Sequence, residues 1–141
     1  MKTRVAFIHK RNLFKKRRSI YLTGLSHGIQ PFPLASRKGH LITTSAIHGV
    51  DPKTGALPDD EIEQIQLAFK NLANTLNEAG GSMGDVTQIL ITLSSLLYRV
   101  TVNEIWCEYF PDVDSRPSRN TTERELSGGL IISLIAVGWI S

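Results

Sequence analysis

The sequence has only one cysteine, Cys107, and lacks the residue clusters that hold metal ions. No intramolecular disulfide can form, so nothing implies an oxidising compartment, and a cytoplasmic protein is the simplest expectation. No histidine, cysteine or carboxylate group has metal-ligand spacing, and no glycine pair has the context of a phosphate-binding loop. These absences argue against metal chemistry and nucleotide phosphate binding.

Long apolar runs are also absent. The longest, residues 130–140, is about half as long as a membrane-spanning helix needs to be, and it contains Ser133 and Gly138. We therefore expect a soluble protein without a membrane segment. With 141 residues, of which 41% are apolar, the chain can bury one ordinary core and is expected to form one domain.

The positive charge is concentrated at the start of the chain. Residues 1–18 hold eight of the sixteen Lys and Arg residues and no acidic residue, whereas the rest has eight basic and thirteen acidic residues. This pattern predicts a disordered basic extension over residues 1–18 and a domain over residues 19–141. The extension could bind nucleic acid, target the chain or have no task, and we favour the last. Nucleic acid is an unlikely partner, because no exposed aromatic stacking pattern accompanies the charge.

Apolar periodicity predicts four strands and two helices. The strands are expected at residues 19–22, 41–47, 85–93 and 130–137, and the helices at residues 59–79 and 102–110. Asp59 or Asp60 can cap the first helix, Gly80-Gly81 can end it, and residues 51–55 form a turn.

Each predicted helix has one apolar stripe that must be covered by a sheet. The sequence therefore predicts a two-layer α+β domain in the order β-β-α-β-α-β, with both helices on one face. The last strand is apolar on both sides, because Ile131 and Ile132 are adjacent, as are Leu134 and Ile135. A second apolar sheet face in so small a domain indicates oligomerisation.

Arg119 is the first candidate for a binding residue, because it lies shortly before this buried terminal strand. A guanidinium offers two parallel donors to a carboxylate and stays charged at any working pH. The alternative is a solvated loop arginine beside Pro117.

Four motifs follow one another between residues 19 and 140: QPF at 30–32, DPKTGALP at 51–58, VNEIWCEYF at 102–110 and RPSR at 116–119. Their order and spacing resemble the Rid family, also called YjgF or reactive-intermediate deaminases. Residues 30–32 (QPF) stand where the family has Gly-Pro-Tyr, and residues 51–58 (DPKTGALP) match its loop closely. Residues 68–72 (AFKNL) and 79–82 (AGGS) are similar to its first helix and the end of that helix. Residues 102–110 (VNEIWCEYF) resemble its Val-Asn-x-x-Tyr-x-x-Tyr-Phe helix, and residues 116–119 (RPSR) resemble its Phe-Pro-Ala-Arg.

This resemblance implies a chorismate-mutase-like homotrimer with pockets between subunits. It also implies hydrolysis of small carboxylated enamines and imines, such as 2-aminoacrylate and 2-iminopropanoate, to 2-keto acid and ammonia without a cofactor. Arg119 matches the family's substrate-binding arginine, and the backbone carbonyl of Thr121 is a candidate to hold the water or the imine N–H. The expected lining of the substrate pocket is completed by Phe32, Ser45, His48, Asn103 and Asn120.

Two positions depart from the family pattern. Phe32 replaces a tyrosine, and Ser133 replaces a glutamate that would orient water or relay a proton; a serine hydroxyl is a poor base at neutral pH. His48 or His27 could supply the proton relay instead. The alternative function is a Rid-fold protein that binds a small carboxylate or imine without turnover.

Overall fold

The computed structural model describes residues 16–141, which form one sheet and two helices in the expected α+β arrangement. The strands are β1 (Arg18–Ile20), β2 (Ala35–Lys38), β3 (Leu41–Thr44), β4 (Val86–Leu93), β5 (Ser118–Glu123) and β6 (Ile132–Trp139). The helices are α1 (Glu61–Glu78) and α2 (Arg99–Tyr109). The sheet order is β1-β2-β3-β6-β4-β5, antiparallel except for the parallel pair β4 and β5.

The element order predicted from the sequence was incomplete by two strands, β2 and β5. Both are short and polar, with the sequences ASRK and SRNTTE, so they lack the apolar alternation that marks a half-buried strand. Backbone pairing with β4 forms β5 at the edge of the sheet, where polar side chains can remain hydrated. Arg119 consequently lies on a strand, not in a loop.

The ends of α1 follow the local signals in the sequence. The Asp60 side chain accepts a hydrogen bond from the Glu63 backbone N–H at 3.0 Å, and Gly80 has a φ of +87° after the last turn. In contrast, α2 begins at Arg99, nearly one turn earlier than its apolar pattern predicted. The apolar stripe marks only the packed face, whereas the first turn at Arg99 and Val100 is exposed.

The two helices share one core with one face of the sheet. Phe69 of α1 and Val102 of α2 are fully buried together with Ile89, Ile91 and Leu134 of the central strands. The Phe69 ring stacks on Tyr109 with 5.8 Å between ring centroids, which joins the helices directly.

The opposite sheet face, which we call the open face, carries apolar residues without cover in one chain. Leu90 pairs across the sheet with Ile135, and Leu41 pairs with Trp139. Leu90 is 38% exposed and Ile135 37%, whereas Leu41 is 45% exposed and Trp139 55%. The prediction of a second apolar sheet face is therefore confirmed.

The predicted basic extension overlaps the described part only at its end. Arg18 begins β1, and its guanidinium donates to the Glu78 carbonyl at 3.0 Å. Residues 1–15 of that extension lie outside the described residues. Neither helix in residues 16–141 has the length and apolar character needed to cross a membrane.

Candidate functional site

Arg119 is held by two neutral side chains of α2. Its Nη2 donates to the Asn103 Oδ1 at 2.7 Å, and its Cζ lies 5.0 Å from the centroid of the Trp106 ring. Asn103 and Trp106 are three residues apart, so they lie next to each other on one face of the helix. Asn103 was predicted as a site residue, whereas Trp106 was predicted to belong to the helix over residues 102–110 but not to the site. Its spacing from Asn103 is the signal that could have placed it beside Arg119.

The guanidinium of Arg119 lies near a second positive charge and is partly shielded from solvent. Burial lowers the pKa of its guanidinium, the charge of Arg99 lowers this pKa further, and Cys107 opposes the shift. The ordinary pKa of an arginine lies far above neutral pH, so the group still carries its charge at pH 7. Within residues 16–141, Arg119 forms no salt bridge. A half-buried cation without a counter-charge is suited to an anionic ligand.

The neighbours of Arg119 on β5 divide between the two faces of the sheet. Thr121 lies on the same face as Arg119, and its Oγ1 is buried without a hydrogen-bond partner in the described chain. Asn120 pairs with Leu90 and lies on the open face. One chain therefore places Arg119 and Thr121 together and turns Asn120 away from them.

Ser133 also lies away from Arg119 in one chain. It is buried on β6, where it pairs with Thr92, and the alternation of the strands puts both on the open-face side. Since β4 separates β6 from β5, no direct contact between Ser133 and Arg119 is possible within the chain.

The other predicted residues gather near β2 and β3. The His27 and Phe32 ring centroids are 4.7 Å apart, and those of His27 and His48 are 6.2 Å apart. Ser45 Oγ donates to the Pro33 carbonyl at 2.7 Å. A cavity of about 220 Å³ lies here, lined by His27, His48, Leu34, Ile47 and Val50 among others.

Hydrogen bonding fixes the tautomer of His27. Its Nε2 lies 2.7 Å from the Ala46 carbonyl oxygen, which can only accept, so we assign the proton to Nε2. The neutral ring then has a lone pair on Nδ1, and this buried atom has no partner in the described chain. Burial lowers the pKa of His48, and the neighbouring charge of His27 lowers it further. His48 is thus neutral at pH 7 and able to accept a proton.

Asn71 of α1 supports the loop that carries His48. Its side-chain amide donates to the His48 carbonyl at 2.9 Å and to the Val50 carbonyl at 2.8 Å. No sequence pattern signals this role, because a buried polar residue in an apolar stripe does not reveal its hydrogen-bond partners.

We expect Asn71→Ala to lower the free energy of unfolding by about 2–4 kcal/mol, because two carbonyls of this loop lose their donor. Asn74 is exposed on the same helix, so Asn74→Ala should change stability by no more than about 0.5 kcal/mol. Urea denaturation of both variants measures the difference. Equal effects would show that the loop does not depend on the Asn71 amide.

The site residues therefore form two groups, one beside the edge strand β5 and the other near β2 and β3. The arginine half consists of Asn103, Trp106 and Arg119, and the loop half consists of His27, Phe32, Ser45 and His48. The order β3-β6-β4-β5 puts three strand spacings, about 14 Å, between the end of β3 and β5. This separation is longer than a small carboxylated imine, so the two halves are not neighbours within one chain.

No group of three or more His, Cys, Asp and Glu side chains in residues 16–141 is arranged to hold a metal ion. A second cavity, of about 430 Å³, lies between the start of β4 and the end of α2 and is lined by Thr87, Tyr109 and Arg116 among others. It contains none of the predicted site residues.

Comparisons with known proteins agree with this fold. The family model described as "Endoribonuclease L-PSP" matches residues 26–127. A RutC family protein of Pyrococcus abyssi is 30% identical over 113 residues, which cover 79% of this chain and 87% of that protein. The mouse protein named 2-iminobutanoate/2-iminopropanoate deaminase is 33% identical over 95 residues, covering 67% of this chain and 70% of the mouse protein.

Solved structures show the same architecture. RidA from the bacterium Psychrobacter has a TM-score of 0.79 and 22% identity, over 87% of this chain and 99% of RidA. Escherichia coli TdcF with bound serine also has a TM-score of 0.79, with 24% identity, over 88% of this chain and 99% of TdcF. The family model matches most of the chain, and the similar proteins of Pyrococcus abyssi and mouse agree with that match. This protein therefore belongs to the Rid (YjgF) family.

Proposed function

We propose that this protein hydrolyses small carboxylated enamines and imines, of the 2-aminoacrylate and 2-iminopropanoate type, to a 2-keto acid and ammonia. The observation that carries the proposal is the uncompensated charge of Arg119, held by Asn103 and Trp106. The deaminase named for mouse and the reactive intermediate deaminase named for Arabidopsis thaliana support the reaction class.

Arg119 would fix the substrate by its carboxylate. Two parallel N–H donors would hold the two carboxylate oxygens and present the adjacent imine carbon to water. An enamine first takes a proton on its terminal carbon and loses one from nitrogen, which gives the imine. Attack by water then forms a C–O bond and releases a proton from the water, and the π electrons of the C=N bond move to nitrogen, which takes a proton. The resulting carbinolamine forms a C=O bond as the C–N bond breaks and ammonia leaves.

Proton transfer needs a group other than a carboxylate at position 133, because Ser133 is a poor base. In the proposed reaction His27 or His48 accepts the water proton and returns one to the leaving nitrogen. His27 has an unpartnered Nδ1, and His48 is neutral at pH 7, so each can accept a proton. The backbone carbonyl of Thr121 would hold the water or the imine N–H.

The two halves of the site would meet between copies of the chain. We propose a homotrimer in which the arginine half of one copy faces the loop half of the next. The apolar open face supports this arrangement, because it needs cover that one chain does not provide. Light scattering should then give a mass about three times the 15.6 kDa of one chain.

The test generates 2-iminopropanoate with an amino-acid oxidase and measures the release of keto acid and ammonia. We expect wild type to accelerate release, and Arg119→Ala to lower kcat/KM at least about 30-fold, because loss of a buried charge partner costs 2–5 kcal/mol. Arg124→Ala is the matched control, since Arg124 is exposed and follows β5.

The second candidate function is ligand binding without turnover, with Arg119 as the same anchor. It is favoured by Ser133 and Phe32, which replace the family's glutamate and tyrosine. No acceleration of any imine by a folded oligomer would favour this alternative over the deaminase. RNA cleavage, suggested by the description of the family model, is opposed by the acidic excess of residues 19–141.

A further inference from the structure

Arg99 extends the arginine half of the site along α2. Arg99, Asn103 and Trp106 have the spacing i, i+4 and i+7, which puts them in one row on the helix surface. Arg119 contacts the last two members of this row. Arg99 therefore stands one helical turn, about 5.4 Å along the axis, beyond the residue that holds Arg119.

The two arginines are electrostatically coupled. The charge of Arg99 acts with burial to disfavour the charged form of Arg119, so the two cations are close enough to repel each other. Neither arginine forms a salt bridge with any residue of the described chain.

The acidic residues of the surrounding elements do not neutralise this pair. Glu104 and Glu108 of α2 form no ion pair with it, and the Glu123 carboxylate of β5 instead accepts the Leu96 backbone N–H at 2.8 Å. The first turn of α2 contains no acidic residue, so the helix dipole adds to the cost of the Arg99 charge. Two adjacent uncompensated cations are stabilised by a ligand with two anionic groups.

We propose that the substrates are 2-imino dicarboxylic acids, with Arg119 binding the carboxylate next to the imine and Arg99 binding the side-chain carboxylate. This inference rests on the proposed deaminase function and names its substrate class. A five-carbon diacid is the probe of this class, because the three carbons between its carboxyl groups let each group meet a different guanidinium. Arg99 is exposed, which leaves its guanidinium free to meet a group entering from solvent.

The test compares two five-carbon keto acids that differ only in the terminal group, 2-oxoglutarate and 2-oxopentanoate. By calorimetry, wild type should bind 2-oxoglutarate at least about 10-fold more tightly. Arg99→Gln should reduce this ratio to about one, Arg99→Lys should retain part of it, and Arg124→Gln should leave it as in wild type. Arg119→Gln should weaken binding of both acids, because it removes the shared anchor.

Equal affinity of wild type for the two acids would overturn the inference, as would an equal loss for both acids in Arg99→Gln. A loss of assembly in Arg99→Gln would also overturn it, since Arg99 would then pair with a neighbouring copy. The same comparison with the imines of glutamate and norvaline separates the two proposals. Turnover of both without preference overturns only the dicarboxylate inference, whereas preferential binding without turnover supports it and removes the deaminase.

Discussion

If the proposed trimer and its deaminase activity are correct, mixed trimers of two inactive variants, Arg119→Ala and Phe32→Asp, should recover about one third of the wild-type activity. In a head-to-tail ring that contains both kinds of chain, one of the three interfaces pairs an intact arginine half with an intact loop half. In a ring made of one variant alone, none of the three interfaces has a complete site, so nearly all activity should be lost. Phe32→Asp acts by placing a negative charge in the loop half, where a substrate carboxylate would be repelled.

The experiment co-expresses the two variants with different tags and purifies only rings that carry both tags. Phe32 is 41% exposed, so an aspartate there should not unfold the chain. The matched control combines Arg119→Ala with Asn103→Ala. Both changes affect the arginine half, so none of the interfaces in such a ring is intact.

The outcome decides whether the site lies within one chain or between chains. Recovery only in the first pair would require the two halves to come from different copies. Lack of recovery, with assembly intact, would contradict the shared site, and the 14 Å separation within one chain would then have to be closed by a rearrangement of the loops.

The packed part of the fold was predictable from the sequence, because burial of one face of a helix or strand repeats apolar residues at a regular spacing. The stripe of α1 and the apolar residues of β4 are repeated at the spacings that one covered face imposes. The Asp60 cap and the Gly80 stop were also predictable, because each satisfies a backbone requirement that few residue types can meet. The second apolar face was visible in β6, where both sides of the strand carry apolar residues.

The edge of the sheet and much of the site were not predictable in this way. The strand β5 owes its form to pairing with β4, and its polar sequence also suits a loop. The site hypothesis named Arg119 and Asn103 from the resemblance to a family. However, the stacking of Arg119 on Trp106 and the support of His48 by Asn71 depend on contacts between distant segments, which no local pattern encodes.

The second large effect is expected from the open face, where Ile135→Glu should convert the proposed trimer into monomers without imine turnover. Ile135 lies opposite Leu90 on this face and is 37% exposed in the isolated chain. A glutamate can therefore remain hydrated in a monomer, and the chain should still fold. In the proposed trimer, with the open face as its interface, the same carboxylate would be buried against apolar side chains without a partner, which costs several kcal/mol per ion.

Leu97→Glu is the matched control, because Leu97 is 86% exposed and lies in the short turn before α2, outside the open face. Light scattering should give the mass of one 15.6 kDa chain for Ile135→Glu and a trimer for Leu97→Glu, with unchanged circular dichroism in both. A trimeric Ile135→Glu variant would show that the open face is not the interface. A folded monomer that keeps its turnover would instead place the whole site within one chain, because no second copy would be present to supply the loop half.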